Sequence, residues 1–268
     1  MVGMSACFSV KKENGLLQFK DFKNNCENRN PSTILMLYMA DTLYNWPDFE
    51  EIVVQTDDVY FPVAFEGITK YCAYNKEDTY EGIIPDFHFH QCPSSRSADY
   101  HDTVFEIAKA GLKPPELIKV GWIGQFSQKR ELFFYIGKEA PFLFDIFDSK
   151  TTPFISLPEL TKYALLIDIE GAGYSGRLKY LLWSHRPVLL IDRPYKEYFF
   201  EYLVPWEHYI PVKRDLSDLL EKTFWCLENY EKALNIGKNA FNFARKYLTR
   251  EACFKQWDAV ITGKKAEF

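Results

Sequence analysis

Apolar runs of strand length alternate with helix-periodic segments along most of this chain of 268 residues. The clearest run covers 163–169, YALLIDI, and reads as a strand buried on both faces. A second covers 187–191. Between them lie a loop of small residues, Gly171 to Gly176, and a short amphipathic helix opened by Arg177, with Leu178, Leu181 and Leu182 on one face. Further strands are expected at 118–123, 142–147 and 210–212. Helices are expected at 128–137, 194–203, 215–229, 231–247 and 250–261. Nearer the N-terminus, 1–31 reads as polar and irregular apart from 16–22. A helix at 32–43, a turn at 45–48 and a strand at 51–56 follow. A strand-like stretch at 83–89 and a helix running to 110, capped by Ser97 or Asp99, complete this half. The segment 111–116, with Gly111, Pro114 and Pro115, reads as a hinge. The alternation predicts an α/β protein in two halves.

The loop between the strands at 163–169 and 187–191 invites chemistry. Small residues leave backbone N–H groups open toward one point, and Arg177 adds a permanent charge with a fork that can hold two phosphate oxygens. A diphosphate site follows from those features. Gly171, Gly173 and Gly176 also fit G-x-G-x-x-G, and Asp192 stands where a dinucleotide fold places its ribose contact, which would make the protein an NAD-dependent oxidoreductase. A Walker A loop is excluded, because Arg177 and Leu178 replace the Lys and Ser/Thr that motif needs. A donor site for a nucleotide sugar is the third reading, and a plain tight loop with a surface arginine explains the same residues without any ligand.

The residues KYALLIDIEGAGYSGRLKYLL and PYKEYFFEYLVPWEHYIPVKRDLSDL, within 162–219, resemble glycosyltransferase family 90. The resemblance implies two Rossmann-like lobes of the GT-B type with the active site in the cleft between them. Residues 1–116 would form the acceptor lobe, 117–250 the nucleotide-sugar lobe, and 251–268 a helix returning to the first lobe. It implies an inverting transfer from a UDP-sugar to a glycan hydroxyl, forming a β-linkage, with xylose favoured over glucose as the sugar. Gly173, Tyr174, Ser175, Gly176 and Arg177 would hold the diphosphate. Glu197, Tyr209, Pro211 and Val212 would hold the nucleoside. The segment PDFEEIVVQTDD is similar to the one ending in the family's catalytic base, which places Asp58 in that role beside Asp57. His101, Gly124, Ser127 and Arg130 are candidate acceptor or donor contacts. Phe126 stands where the family has a second phosphate-binding arginine, leaving Lys129 or Arg130 to replace it. A non-catalytic nucleotide-sugar-binding protein is the remaining alternative.

Composition narrows the rest. A hydrophobic share of 47% and an aromatic share of 17% fit a globular core. A net charge of −5 without a basic block argues against nucleic acid as a partner. No run reaches the ~18 apolar residues of a membrane span, and the first residues lack a signal-peptide core. These features predict a cytoplasmic protein with its six cysteines reduced. Asp86, His88, His90 and Cys92 alternate as they would on one strand face, a possible metal set, but the family resemblance implies no metal and no other cofactor.

Overall fold

The computed structural model describes residues 7–23, 29–57, 68–74, 82–92, 97–171 and 173–268. The first element is a hairpin. Strands β1 (Cys7–Glu13) and β2 (Leu16–Lys23) pair antiparallel across Asn14 and Gly15, both at positive φ, 52° and 76°. That is the turn chemistry a two-residue hairpin requires. Residues 7–13 are therefore not irregular as expected: Phe8 and Val10 point into the core while Ser9 and Lys11 alternate with them. Helix α1 (Arg29–Tyr44) follows, then β3 (Phe49–Gln55) and β4 (Lys70–Cys72). The four strands form one mixed sheet in the order β2-β1-β3-β4, with only β3 and β4 parallel.

The expected strand at 83–89 is mostly a turn. Asp86 accepts the backbone N–H of His88 at 2.9 Å and caps a 3-10 turn, Phe87–Phe89. The small pair β5 (Gln91–Cys92) and β6 (Ser97–Asp99) leads into α2 (Tyr100–Gly111), capped by Asp99 as expected.

Five parallel strands make the second sheet: β7 (Leu117–Gly124), β8 (Phe144–Asp148), β9 (Tyr163–Asp168), β10 (Val188–Ile191) and β11 (Ile210–Val212). Their order is β11-β10-β9-β7-β8. The remaining helices are α3 (Glu131–Glu139), α4 (Leu178–Leu181), α5 (Leu219–Glu228), α6 (Tyr230–Tyr247) and α7 (Arg250–Thr262). The segment expected to be helical over 194–203 instead forms a 3-10 turn, Tyr198–Tyr202, closed by Phe200 N–H to Glu197 O and Leu203 N–H to Phe200 O.

Two cores result. One packs this sheet against α3 and α5, through Val120, Phe133, Leu165, Ile210 and Leu219. The other runs from Phe8, Met36 and Val54 through Tyr100 and Trp257 to Leu166, Val188 and Phe243, joining both sheets. Helix α7 packs on α1, and Trp46 Nε1 donates to Asp258 at 2.9 Å. Cys72, Cys226 and Cys253 are free thiols. Among the described residues no helix is long and apolar enough to cross a membrane.

Candidate functional site

The strand order fixes where a ligand belongs. From β7 the chain steps outward to β8, then crosses back to β9 and continues to β10 and β11. The direction reverses between β7 and β9, so the loops leaving their C-terminal ends diverge to opposite faces and open a crevice. Those loops are 125–130 and 169–177, which hold Ser127, Arg130 and Gly173 to Arg177.

Arg130 ties the two loops together. Its Nε and Nη2 donate to the Glu170 carbonyl at 3.0 and 2.7 Å, and Nη1 to the Gln125 carbonyl at 2.9 Å. Burial and the nearby Arg177 push its pKa down to about 10, so it stays charged at neutral pH. The expectation that it replaces a second phosphate ligand meets a geometric obstacle, since most of its donors are spent on backbone. Lys129 and Ser127 are exposed, and Phe126, 46% exposed, leans edge-on to Phe134.

Arg177 is different. Its guanidinium lies 5.3 Å over the Trp122 ring, beside Arg130 at 5.1 Å over the same ring. Among the described residues no carboxylate or carbonyl hydrogen-bonds it, and burial draws its pKa down. Gly124 makes the approach possible: a Cβ there would stand 2.6 Å from the Trp122 ring and 3.3 Å from Arg177 Nη2. Helix α4 behind it has only 4 residues. The positive charge at the crevice therefore comes from the guanidinium, and the expected helix-end contribution is small. One helical turn is also short for the dinucleotide reading of G-x-G-x-x-G.

Ser175 and Asp168 shape the loop from below. Ser175 Oγ donates to Asp168 Oδ1 at 2.8 Å and accepts the Arg177 N–H at 3.4 Å. Asp168 Oδ2 pairs with Arg193 Nη1 at 2.8 Å, both buried. Tyr174 is buried and stacks on Tyr74 at 4.8 Å, and Lys179 Nζ lies 5.3 Å over its ring. Tyr74 Oη donates in turn to the Asp57 carbonyl at 3.4 Å, so the N-terminal carboxylate segment reaches the same loop. Asp57 itself faces Arg29 at 3.7 Å. Asp58, the expected base, lies outside the described residues.

Glu197 does not face the crevice as a ribose ligand would. It is 2% exposed and pairs with Lys179 at 2.8 Å, and the Lys179 ammonium, fully buried, also donates to Asp86 at 2.9 Å and to the Gly176 carbonyl at 3.3 Å. One cation serves two carboxylates. Burial would raise Asp86, but Lys179 and His88 hold it well below the usual carboxylate range. Glu197 is pushed up to about 7, by burial first, with Asp86 adding to it and Lys179 opposing. Lys179 is the residue the sequence reading missed. Its signal was the context RLKYLLW, in which 178–182 are all buried.

Along the ends of β10 and β11 a cleft of about 650 Å³ opens, lined among others by Trp206, Tyr209, Pro211, Val212, Lys213 and Lys222. Three expected nucleoside residues, Tyr209, Pro211 and Val212, thus share one wall. His101 sits exposed on the first turn of α2, its N–H on Asp99 at 2.7 Å. Asp99, His101 and Asp102 are the group among the described residues whose ligand atoms cluster, but Asp99 is already paired with Arg250 at 2.8 Å. Asp86 and His88 do not alternate along a strand, because Asp86 caps the 3-10 turn that carries His88.

A doubly wound sheet with an arginine in the switch-point crevice is an arrangement that can hold a phosphate ligand. Residues 145–264 match the model of Glycosyl transferase family 90. Protein O-glucosyltransferase 3 of Homo sapiens is 34% identical over 154 residues, 57% of this chain and 27% of that protein. Protein O-glucosyltransferase 2 of Danio rerio is 39% identical over 100 residues, 37% of this chain and 20% of that one. The chain thus spans about a quarter of the length of these relatives. The structure of Anabaena Alr3699/HepE in complex with UDP and glucose overlays 59% of this chain and 44% of its own, with a TM-score of 0.40 and 12% identity.

Proposed function

We propose that the chain is a glycosyltransferase that uses a UDP-sugar. The observation that carries this reading is the guanidinium of Arg177 at the switch point, which no carboxylate or carbonyl among the described residues hydrogen-bonds. The diphosphate would lie on Arg177 and the 173–177 loop, and the uridine would extend into the cleft of Tyr209, Pro211 and Val212, where a ring can pack on aromatic side chains. A hydroxyl of the acceptor attacks the anomeric carbon, the bond to the diphosphate oxygen breaks, and UDP departs with the electron pair. Asp58 takes the proton, and attack from the face opposite the diphosphate inverts the α-linked donor to a β-linked product. Arg177 meets the charge that develops on the leaving group, so the reaction needs no metal.

The sugar is glucose or xylose; the relatives' names favour glucose. The acceptor is a glycan hydroxyl, with a protein hydroxyl as the second candidate from the same names. The test is release of UDP from UDP-glucose and UDP-xylose in the presence of EDTA, with and without each acceptor class. Turnover that depends on the UDP-sugar and survives EDTA supports the reading. Loss of turnover with EDTA, restored by manganese, overturns its metal-free part. Absence of turnover with both donors and both acceptors overturns the enzyme.

A further inference from the structure

Two of the buried carboxylates around the crevice have their charge met. Asp168 is held by Ser175 and Arg193, and Glu197 by Lys179. Glu170 differs from both. Its side chain is 12% exposed, and Oε1 meets Arg214 Nη2 at 3.2 Å. Its other oxygen, Oε2, is buried, and among the described residues no hydrogen bond or ion pair reaches it. A buried carboxylate oxygen without a donor is uncommon and costs stability until something supplies one. The backbone that carries it is fixed. Arg130 holds the Glu170 carbonyl from Nε and Nη2, and the Gly171 N–H donates to the Tyr174 carbonyl at 3.2 Å.

Position says what that donor is. Glu170 lies at the start of the loop that ends on Arg177, and its partner Arg214, from the loop after β11, lines the cleft of about 650 Å³. The carboxylate therefore stands between the cation of the diphosphate site and the nucleoside cleft. Arg214 contacts it and the Arg130 guanidinium acts on it electrostatically, so its charge is already met. What Oε2 lacks is a hydrogen-bond donor rather than another cation, and a hydroxyl is such a donor. Arg214 is 58% exposed, so the contact on the solvent side of Glu170 can yield to an entering ligand. In a uridine diphosphate the ribose joins base to diphosphate. With those two ends on the cleft and on Arg177, its hydroxyls fall beside Glu170.

We propose that Glu170 is the ribose-binding residue of the donor site: Oε2 accepts a ribose hydroxyl of the UDP-sugar while Oε1 stays on Arg214. This rests on the donor-site reading above. Glu197, the carboxylate expected near the nucleoside, is committed to Lys179 and leaves the role open. Asp192, exposed at the end of β10 and lining the same cleft, is the competing carboxylate. A hydroxyl on an ionised carboxylate is a charge-assisted bond, and it exists only if the sugar carries that hydroxyl. The site therefore selects ribonucleotides over deoxyribonucleotides.

The experiment is calorimetric titration of the full chain with UDP and with 2′,3′-dideoxy-UDP, which keeps the base and the diphosphate and lacks both hydroxyls. The wild type binds UDP roughly 10–100-fold more tightly than the dideoxy compound. Glu170→Gln keeps the shape and can still accept from Arg214, but its second position is an amide donor. Its affinity for UDP falls to that for the dideoxy compound, which itself binds as it does to the wild type. Glu170→Asp, with its oxygens drawn back by one methylene, also loses most of the discrimination. Asp192→Asn keeps it. Thermal melting shows that each variant folds. A wild type that binds both compounds equally overturns the inference alone, whatever the variants do. So does discrimination that persists in folded Glu170→Gln, or that disappears in Asp192→Asn instead. A wild type that binds neither UDP nor UDP-glucose overturns the donor-site reading and this inference together.

Discussion

Arg130 gives two hydrogen bonds to one carbonyl, that of Glu170, and so bolts the loop after β7 to the loop after β9. The crevice at the switch point has a fixed width because of that contact. Lysine cannot make the same bridge, since an ammonium lacks the planar fork. Arg130→Lys should lower stability by about 1–3 kcal/mol and weaken UDP binding a few-fold. Urea denaturation and UDP titration on the same variant check this. Unchanged stability with lost UDP binding would make Arg130 a direct phosphate ligand instead.

Lys179 is a buried cation between two carboxylates, and removing it should cost far more than a surface charge. Lys179→Met leaves Asp86 buried with only His88 to meet its charge, with an expected loss of about 3–5 kcal/mol. Asp86→Asn in the same chain removes the stranded charge. The double variant should therefore lose less than the sum of the two single variants, which a double-mutant cycle measures. Strict additivity would mean that the two groups do not act as a pair.

The pH dependence of stability follows from Glu197. Its folded pKa of about 7 stands above the ordinary value of 4.5, so the native state binds more protons than the unfolded chain between those values. Stability from this group falls as pH rises through that window and levels off above it, by up to about 3 kcal/mol. Asp86 acts in the opposite sense, its contribution being lost only on acidification below the usual carboxylate range. Glu197→Gln has no proton to lose. Its stability relative to the wild type should therefore improve between pH 5 and pH 8 in urea denaturation, and a constant difference would place the ionisation elsewhere.

The C-terminal sheet was legible because its strands are buried on both faces, so YALLID and VLLI announce themselves as apolar runs. The Asn14–Gly15 hairpin carries an equally local signal, but Lys11 and Lys12 give its first strand a solvated look. Lys12 in fact buries its ammonium on Asp41 and the Trp46 carbonyl, each at 2.7 Å. The place of Arg177 beside the loop was legible, since glycines and a following cation are local signals. The ion pair of Glu197 was not legible for a complementary reason. Its partner Lys179 is remote in sequence and Asp86 more so, and periodicity carries no information about a charge cluster assembled from three segments. The alternation of Asp86, His88 and His90 misled in the same way, because Asp86 uses its side chain to cap a turn and ends the strand pattern.

The central claim is that Arg177 holds the diphosphate of a uridine nucleotide, and calorimetric titration of UDP into the wild type and Arg177→Ala tests it most directly. The account predicts a single UDP site in the wild type, no binding of NAD, and a loss of about 1.5–3 kcal/mol in the variant with its melting temperature little changed. Equal affinity of the two proteins for UDP, or a wild type that binds NAD and not UDP, would contradict it.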